Sequence, residues 1–319
     1  MTTQAIGRRG VAKGLFGGLG PRHLVLIASM VAVSALFALV TPSFLSVQTA
    51  LDVGRAAAVL LVVSIGATLV ITSGEVDLTP GSVVGLVAVA IPAMIDNRLP
   101  MPLFLVLALG LGALIGAINA TITLRLYVPS FLATLGMLAI LRGIAVNLST
   151  QPRQVRSTAF IDVFTGDFRG VPLLLIYAVV VVLVAIWFVA RARAWLRVRA
   201  VGSNEVSARL VGVSPRRTKT VVFVAAGMLS ALGGIFLLGR TLTGISAESG
   251  LGLELNAIAA ALLGGARLGG GRGSVLGTAL GALLLTMVLY GIAGMGLSAA
   301  WQYLVQGAIL VLVVLAMRK

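Results

Sequence analysis

RARAWLRVRAVGSNEVSARLVGVSPRRTK, residues 191–219, is a long polar interruption between two strongly apolar segments. Eight of its 29 residues are Arg or Lys, and one, Glu205, is acidic. Asn204 is a residue type whose side chain accepts hydrogen bonds from the free N–H groups of a first helical turn. A short helix is therefore predicted through Glu205, Ala208 and Leu210 to Gly212. About two turns are too short to cross lipid and too isolated to form a core. Two readings stand: a charged loop that marks the cytoplasmic side of a membrane, or a helix that docks on a soluble partner.

The flanks decide the class. Of the 319 residues, 59% are hydrophobic and 10% charged, whereas a soluble domain carries about 25% charged residues. The chain reads as an all-α, polytopic integral membrane protein. Its net charge of +15 fits positive-inside topology better than nucleic-acid binding. The absence of Cys excludes disulfide and thiolate chemistry. The single histidine, His23, excludes a histidine-rich metal site within the chain. Residues 1–22 are Gly-rich and basic, and the apolar segment after them lacks an A-x-A cleavage site. A cytoplasmic tail at 1–23 and a retained first span are expected, although Arg8-Arg9 also suits a twin-arginine signal.

Spans of about 20 apolar residues are expected near 24–40, 51–72, 79–96, 102–124, 129–149, 171–190, 220–239, 251–265, 273–294 and 299–317. Together they make one transmembrane domain, 24–319, of about ten helices. The eighth is short and reads as a broken or re-entrant helix, which is tolerated where protein surrounds it. With both termini cytoplasmic, seventeen of the 24 Lys and Arg residues fall on the cytoplasmic side, eight of them in 191–219. The largest external loop is 150–170. It is either a solvated loop or a contact for an external partner.

Four further features carry chemistry. Gly273, Gly277 and Gly281 recur every four positions, which lets helices approach closely; packing within the bundle and a dimer seam both fit. The run GGARLGGGRGS at 264–274 could cradle phosphate, but no G-x-x-x-x-G-K-[ST] occurs and no βα unit precedes it. A tight cytoplasmic turn explains it better. In ITSGEVDLTPGS at 71–82, Glu75 and Asp77 lie among helix breakers. They are an ion or proton site of the kind found between broken helices, or part of a capped turn in which Asp77 and Thr79 satisfy free N–H groups. Arg142, Asn119 and Thr134 lie inside spans. An unpaired Arg there costs roughly 3 kcal/mol or more, so Arg142 needs a partner, a polar cavity or an interfacial position. Asn119 and Thr134 either face a central path or bond between helices. Few carboxylates fall within spans, so the energy source is expected outside this chain.

Several stretches together carry a resemblance. TPSFLSVQTALDVGRAA (41–57) resembles the first external loop and second-span start of the permease subunit of ABC importers of the ribose/xylose/autoinducer-2 type, a branch that itself resembles branched-chain amino acid permeases. ITSGEVDLTPGSVVGL resembles that family's GG-I-D-L-S-V-G-S signature. VPSFLATLGMLAILRGIA (128–145) resembles its P-x-F-I-A-T-L-G-x-x-x-x-x-R-G segment, which would account for Arg142. VGSNEVSARLVGVSPRRTK resembles its coupling segment N-x-x-A-A-R-x-x-G-I, and ELNAIAAALLGGARLGGGRGSVLGTALGALLL its C-terminal run. The match covers roughly residues 36–317. Glu75 stands where the family usually has Gly, and Pro80 where it usually has Val.

The resemblance implies a type II ABC importer permease in a bacterial inner membrane. It implies a second permease copy or paralogue, cytoplasmic ATPase subunits that hold ATP and Mg, and an external substrate-binding protein. This chain would bind no cofactor and no nucleic acid, beyond its lipid surroundings, and would catalyse no covalent chemistry. A monosaccharide or related polar solute is the implied cargo. Gly202, Asn204, Glu205, Ala208, Arg209 and Gly212 would form the coupling segment. Glu75, Asp77, Asn119, Thr134 and Arg142 are candidates for the gate or path. The rival is a self-sufficient ion- or proton-coupled carrier using Glu75 and Asp77. On the importer reading, Glu205→Arg uncouples ATP hydrolysis from uptake and leaves membrane insertion intact; normal uptake by that variant would contradict it.

Overall fold

The computed structural model describes residues 20–96, 100–149, 155, 157–242 and 247–316. In chain order the helices are α1 (Pro21–Val40), α2 (Val47–Thr72), α3 (Pro80–Asp96), α4 (Met101–Arg125), α5 (Ser130–Leu148), α6 (Thr158–Thr165), α7 (Leu173–Arg191) and α8 (Arg193–Ser203). They continue with α9 (Glu205–Leu210), α10 (Pro215–Thr241), α11 (Leu253–Leu263), α12 (Val275–Gly294) and α13 (Ala299–Ala316). Seven of them are long and apolar enough to cross a membrane: α1, α2, α4, α5, α7, α10 and α12. The shorter apolar helices α3, α11 and α13 complete a set of ten at the expected places. The eighth of these, α11, has only 11 residues and is walled in by α12, α2 and α13.

Helix α2 is the axis of the bundle. Its 26 residues extend about 39 Å at 1.5 Å per residue. It is apolar all round and buried all round, as a central helix must be; Ala57, Val62, Val63, Ser64 and Thr68 have no exposed surface. Helices α10, α12, α11 and α7 surround it. Since helices in lipid gain little from apolar burial, close backbone approach and interhelical hydrogen bonds hold them together. Thr68 on α2 and Thr278 on α12 share a hydroxyl–hydroxyl bond of 2.6 Å. Gly112 on α4 lies directly on Gly227 of α10, where a Cβ would collide with the opposing carbonyl. The outward faces of α1, α4, α5, α7 and α13 present large apolar side chains such as Leu39, Val106, Leu183 and Leu312. Such a belt suits the acyl chains of a bilayer.

Three local features differ from expectation. The segment 150–170 is more than a polar loop. It carries α6 and a two-residue hairpin, β1 (Asp167–Phe168) with β2 (Val171–Pro172); residues 150–154 and 156 lie outside the described residues, as does most of the 1–23 tail. The cause is Phe160 and Phe164, four residues apart and both buried, with rings against Phe104 at 5.7 Å and Phe236 at 6.5 Å. Second, α8 precedes the predicted short helix, because Trp195, Val198 and Val201 bury one face of a basic segment. Third, α10 starts at Pro215, with the Ser214 hydroxyl accepting from the Arg217 N–H at 3.4 Å, so Lys219 belongs to a helix.

The α4–α10 crossing makes a sharp test. Gly112→Leu forces two backbones apart and is expected to cost about 1–3 kcal/mol or more. Gly110→Leu meets open space and is expected to be near neutral. Equal melting temperatures for the two variants in detergent would refute the close crossing.

Candidate functional site

Lys219 is 5% exposed and binds two carboxylates. Its Nζ donates to Glu75 Oε1 at 2.5 Å and also to Glu205 Oε1. Glu75 stands in the break between α2 and α3, Glu205 opens α9, and Lys219 lies in the second turn of α10. One ammonium thus joins three segments far apart in sequence. Charge-assisted hydrogen bonds offset the desolvation of Lys219 and Glu75, while Glu205 stays partly open to solvent. Arg209 adds only an exposed contact to Glu205 at 3.4 Å. A cavity of about 690 Å³ opens beside the triad, between the α4–α5 connection at Tyr127 and Ser130 and the α9–α10 turn.

Helix α9 forms as its caps dictate. Asn204 Oδ1 accepts from the Ser207 N–H at 3.0 Å. Gly212, at φ +78°, takes the left-handed position after the helix that an L side chain resists, and its N–H donates to the Arg209 carbonyl at 3.0 Å. Ala208 is buried and anchors the inner face. The outer face is apolar and bare: Val206 is 67% exposed, Leu210 83% and Val211 75%. Gly202, at the end of α8, packs backbone to backbone on Thr72 and Gly271, and the Gly271 N–H donates to the Thr72 carbonyl at 2.9 Å. The glycine run 264–274 is a tight turn, with Gly265, Gly270 and Gly271 at positive φ. Arg199 Nε reaches the Gly271 carbonyl at 3.4 Å.

The break between α2 and α3 leads inward from this triad. Three of its N–H groups find partners across the turn: Glu75 donates to the Val70 carbonyl at 3.2 Å, Val76 to Ser130 Oγ at 3.2 Å and Thr79 to Asp77 Oδ1 at 2.8 Å. Asp77 Oδ1 also accepts from Thr79 Oγ1 at 2.6 Å, so the capped turn is what the structure contains. Burial raises the Asp77 carboxyl above the usual carboxylate range, and the two Thr79 bonds pull it back. Asn119 Nδ2 donates to Thr79 Oγ1 at 3.1 Å, a bond from α4 to the residue just before α3. Thr134 Oγ1 donates to its own helix at the Ser130 carbonyl, 2.8 Å away.

Arg142 has its partner in Glu254, at 3.9 Å. The other Glu254 oxygen lies against Gly81 in the first turn of α3, where the positive end of the helix dipole favours it. Glu75 and Asp77 do not share a site: one is bound to Lys219, the other to Thr79. Among the described residues no group of three or more His, Cys, Asp or Glu could hold a metal. Gly273, Gly277 and Gly281 pack within the chain, on Thr72, Gly264 and Ala260 respectively.

Sequence reasoning missed Lys219 and Glu254. Lys219 was one positive charge among eight in a loop, and Glu254 one acid in a short span. The signal for Glu254 was present, since an arginine inside a span calls for an acid nearby. For Lys219 it was the Glu75 departure, an acid with no evident counter-charge.

Among the described residues, ten apolar helices with enclosed breaks at 73–79 and 264–274, and a short helix with a bare apolar face at one end, define a multi-pass membrane protein. The chain belongs to the family described as branched-chain amino acid transport system / permease component, whose model matches residues 49–314. It is similar to the probable ABC transporter permease protein YphD of Escherichia coli K12, 36% identical over 92% of this chain and 90% of that protein. It is also similar to the ribose import permease protein RbsC of the same strain, 32% identical over 100% and 99%, and to its xylose transport system permease protein XylH, 32% identical over 94% and 93%. No solved structure matches the chain significantly.

Lys219→Met leaves the Glu75 carboxylate largely buried without its counter-charge, while Glu205 keeps solvent and Arg209. Breaking a buried pair on one side costs about 3–5 kcal/mol, so a marked fall in melting temperature is expected from the Glu75 side alone. Adding Glu75→Gln should recover part of the loss. An unchanged melting temperature for Lys219→Met would remove the triad from the fold's supports.

Proposed function

We propose that this chain is the membrane-spanning subunit of an ATP-driven importer, and that it passes a monosaccharide or related small polar solute delivered by an external binding protein. The observation that carries the reading is α9. A six-residue helix, held on its inner face by Ala208 and the Glu205–Lys219 pair, shows Val206, Leu210 and Val211 to solvent. Exposed apolar residues on a rigid mount are what a docking surface requires. The partner of that surface is a cytoplasmic ATPase, which binds ATP and Mg; the chain itself binds no cofactor. On this reading both termini are cytoplasmic, the membrane is the bacterial inner membrane, and a second permease copy or paralogue completes the path. The cargo class follows the relatives, whose names specify ribose and xylose.

ATP shifts the permease only through the different affinity of the ATPase for its two states. Glu205 moves with α9 and holds Lys219, which holds Glu75 at the head of the broken segment. That segment runs by Asp77, Thr79 and Asn119 to α3. Displacement of α9 would therefore be passed to the polar interior through an ion pair rather than through flexible loop. The ion-coupled carrier reading lacks such support, because Glu75 is committed to Lys219.

Leu210→Asp tests the docking face without touching the core. A hot-spot anchor is worth about 2 kcal/mol or more, so the affinity of this chain for a co-expressed partner ATPase should fall about thirtyfold. Membrane insertion and melting temperature should not change. Undiminished association would overturn the proposed role of α9.

A further inference from the structure

A cavity of about 290 Å³ lies where α7, α8 and α10 meet beside the end of α2. Its lining changes with depth. Leu69, Phe188, Val221 and Ala225 are apolar and belong to the membrane helices α2, α10 and α7. Leu69 is three residues from the end of α2, and Phe188 three from the end of α7. The cavity therefore occupies the last turn of both spans, at the end that carries α9. Phe188 is 46% exposed and Val221 66%, so the mouth faces sideways into the acyl layer. Trp195 and Val198, on the buried face of α8, close the other side. Arg197 on α8 and Arg217 in the first turn of α10 supply the two charges of the lining. Ala225 lies eight residues beyond Arg217 on α10, about 12 Å of helix.

Neither arginine is matched within the chain. The ion pairs among the described residues use Arg142, Arg209 and Lys219. Glu75 and Glu205 are both bound to Lys219, and Glu205 also meets Arg209. A counter-anion for Arg197 and Arg217 therefore comes from outside the chain. Guanidinium groups bind phosphate through paired N–H donors. Basic pockets between membrane helices, with apolar surface beneath, suit anionic headgroups. A soluble protein could reach the arginines but not Leu69, Phe188 and Ala225, which lie within spans. A lipid reaches both. A zwitterionic headgroup carries its own cation beside the phosphate, so a net negative headgroup fits two unmatched arginines better.

We propose that this cavity holds one anionic phospholipid, with its phosphate on Arg197 and Arg217 and the start of an acyl chain along Leu69, Phe188 and Ala225. The site needs only that α2, α7 and α10 span a membrane, and it is independent of the cargo and of the ATPase. Because α8 leads into α9 through Asn204, a lipid seated there braces the mount of α9.

The test uses the full-length chain, delipidated in a neutral detergent at about 0.3 M salt, where charges more than roughly 6 Å away are screened. Phosphatidylglycerol, phosphatidylcholine with the same acyl chains, and glycerol 3-phosphate are titrated in turn while melting temperature is followed. A ligand of the folded state raises that temperature by mass action. Phosphatidylglycerol should act at a concentration at least about tenfold lower than phosphatidylcholine, and glycerol 3-phosphate should have no effect. Each arginine near an anionic headgroup is worth about fivefold, so Arg197→Gln with Arg217→Gln should raise the phosphatidylglycerol midpoint about 25-fold. Arg191→Gln with Arg193→Gln removes the same charge outside the lining and should shift it less than about threefold. Ala225→Phe, which narrows the acyl end and leaves the charge alone, should also weaken the response. No rise with phosphatidylglycerol, equal midpoints for the two lipids, equal losses from the two arginine pairs, or an unaltered response in Ala225→Phe would overturn the site. A rise with glycerol 3-phosphate equal to that with phosphatidylglycerol would make it a site for free phosphate esters and overturn the lipid.

Discussion

The buried ammonium of Lys219 is the contact on which the α9 end of the molecule depends. Three segments meet there that share no sheet and little apolar surface: the break after α2, the start of α9 and the second turn of α10. A lysine so placed is stable only with its charge matched, and Glu75 and Glu205 match it from two directions. Each acid thereby fixes its own segment. Because α9 is only six residues long, it has little intrinsic helical stability. Asn204, Ala208 and the ion pair hold it in place, and its apolar outer face stays free.

Backbone groups in lipid need partners, and beneath that contact the irregular segments supply them from within the protein. The break at 73–79 and the turn at 264–274 are irregular, yet both are enclosed. Val76 finds Ser130, Thr79 finds Asp77, and Gly271 finds the last turn of α2. Glycine makes the enclosure feasible. Gly202 and Gly271 bring three chain segments to backbone contact around Thr72, and Gly277 does the same for α12 and Gly264. Polar chemistry is thus distributed in layers: an ion triad at one end, and a capped aspartate and the Arg142–Glu254 pair within.

Much of this was legible in the chain. Span positions follow from apolar length, so all ten helices fall where hydropathy puts them, including the short α11. The α9 helix was legible because Asn204 and Gly212 mark its ends by local backbone chemistry alone. The aspartate cap at 77–79 is local too. What escaped were the pairings. Nothing near Glu75 in sequence indicates a lysine 144 positions away, and nothing near Arg142 indicates Glu254. The α6 helix escaped because the charges of 150–170 mask Phe160 and Phe164, whose partners lie on α4 and α10.

The sequence by itself determined the class of the protein, the places of its ten apolar helices, and the short capped helix in its basic segment. Each of these depends on composition or on residues within a few positions of one another. Only the tertiary structure decided which charge meets which, and that Gly273, Gly277 and Gly281 pack on Thr72, Gly264 and Ala260 of the same chain. The reason is physical. Hydropathy and capping are properties of neighbours along the chain, whereas desolvation and charge pairing depend on which distant segments the fold brings together.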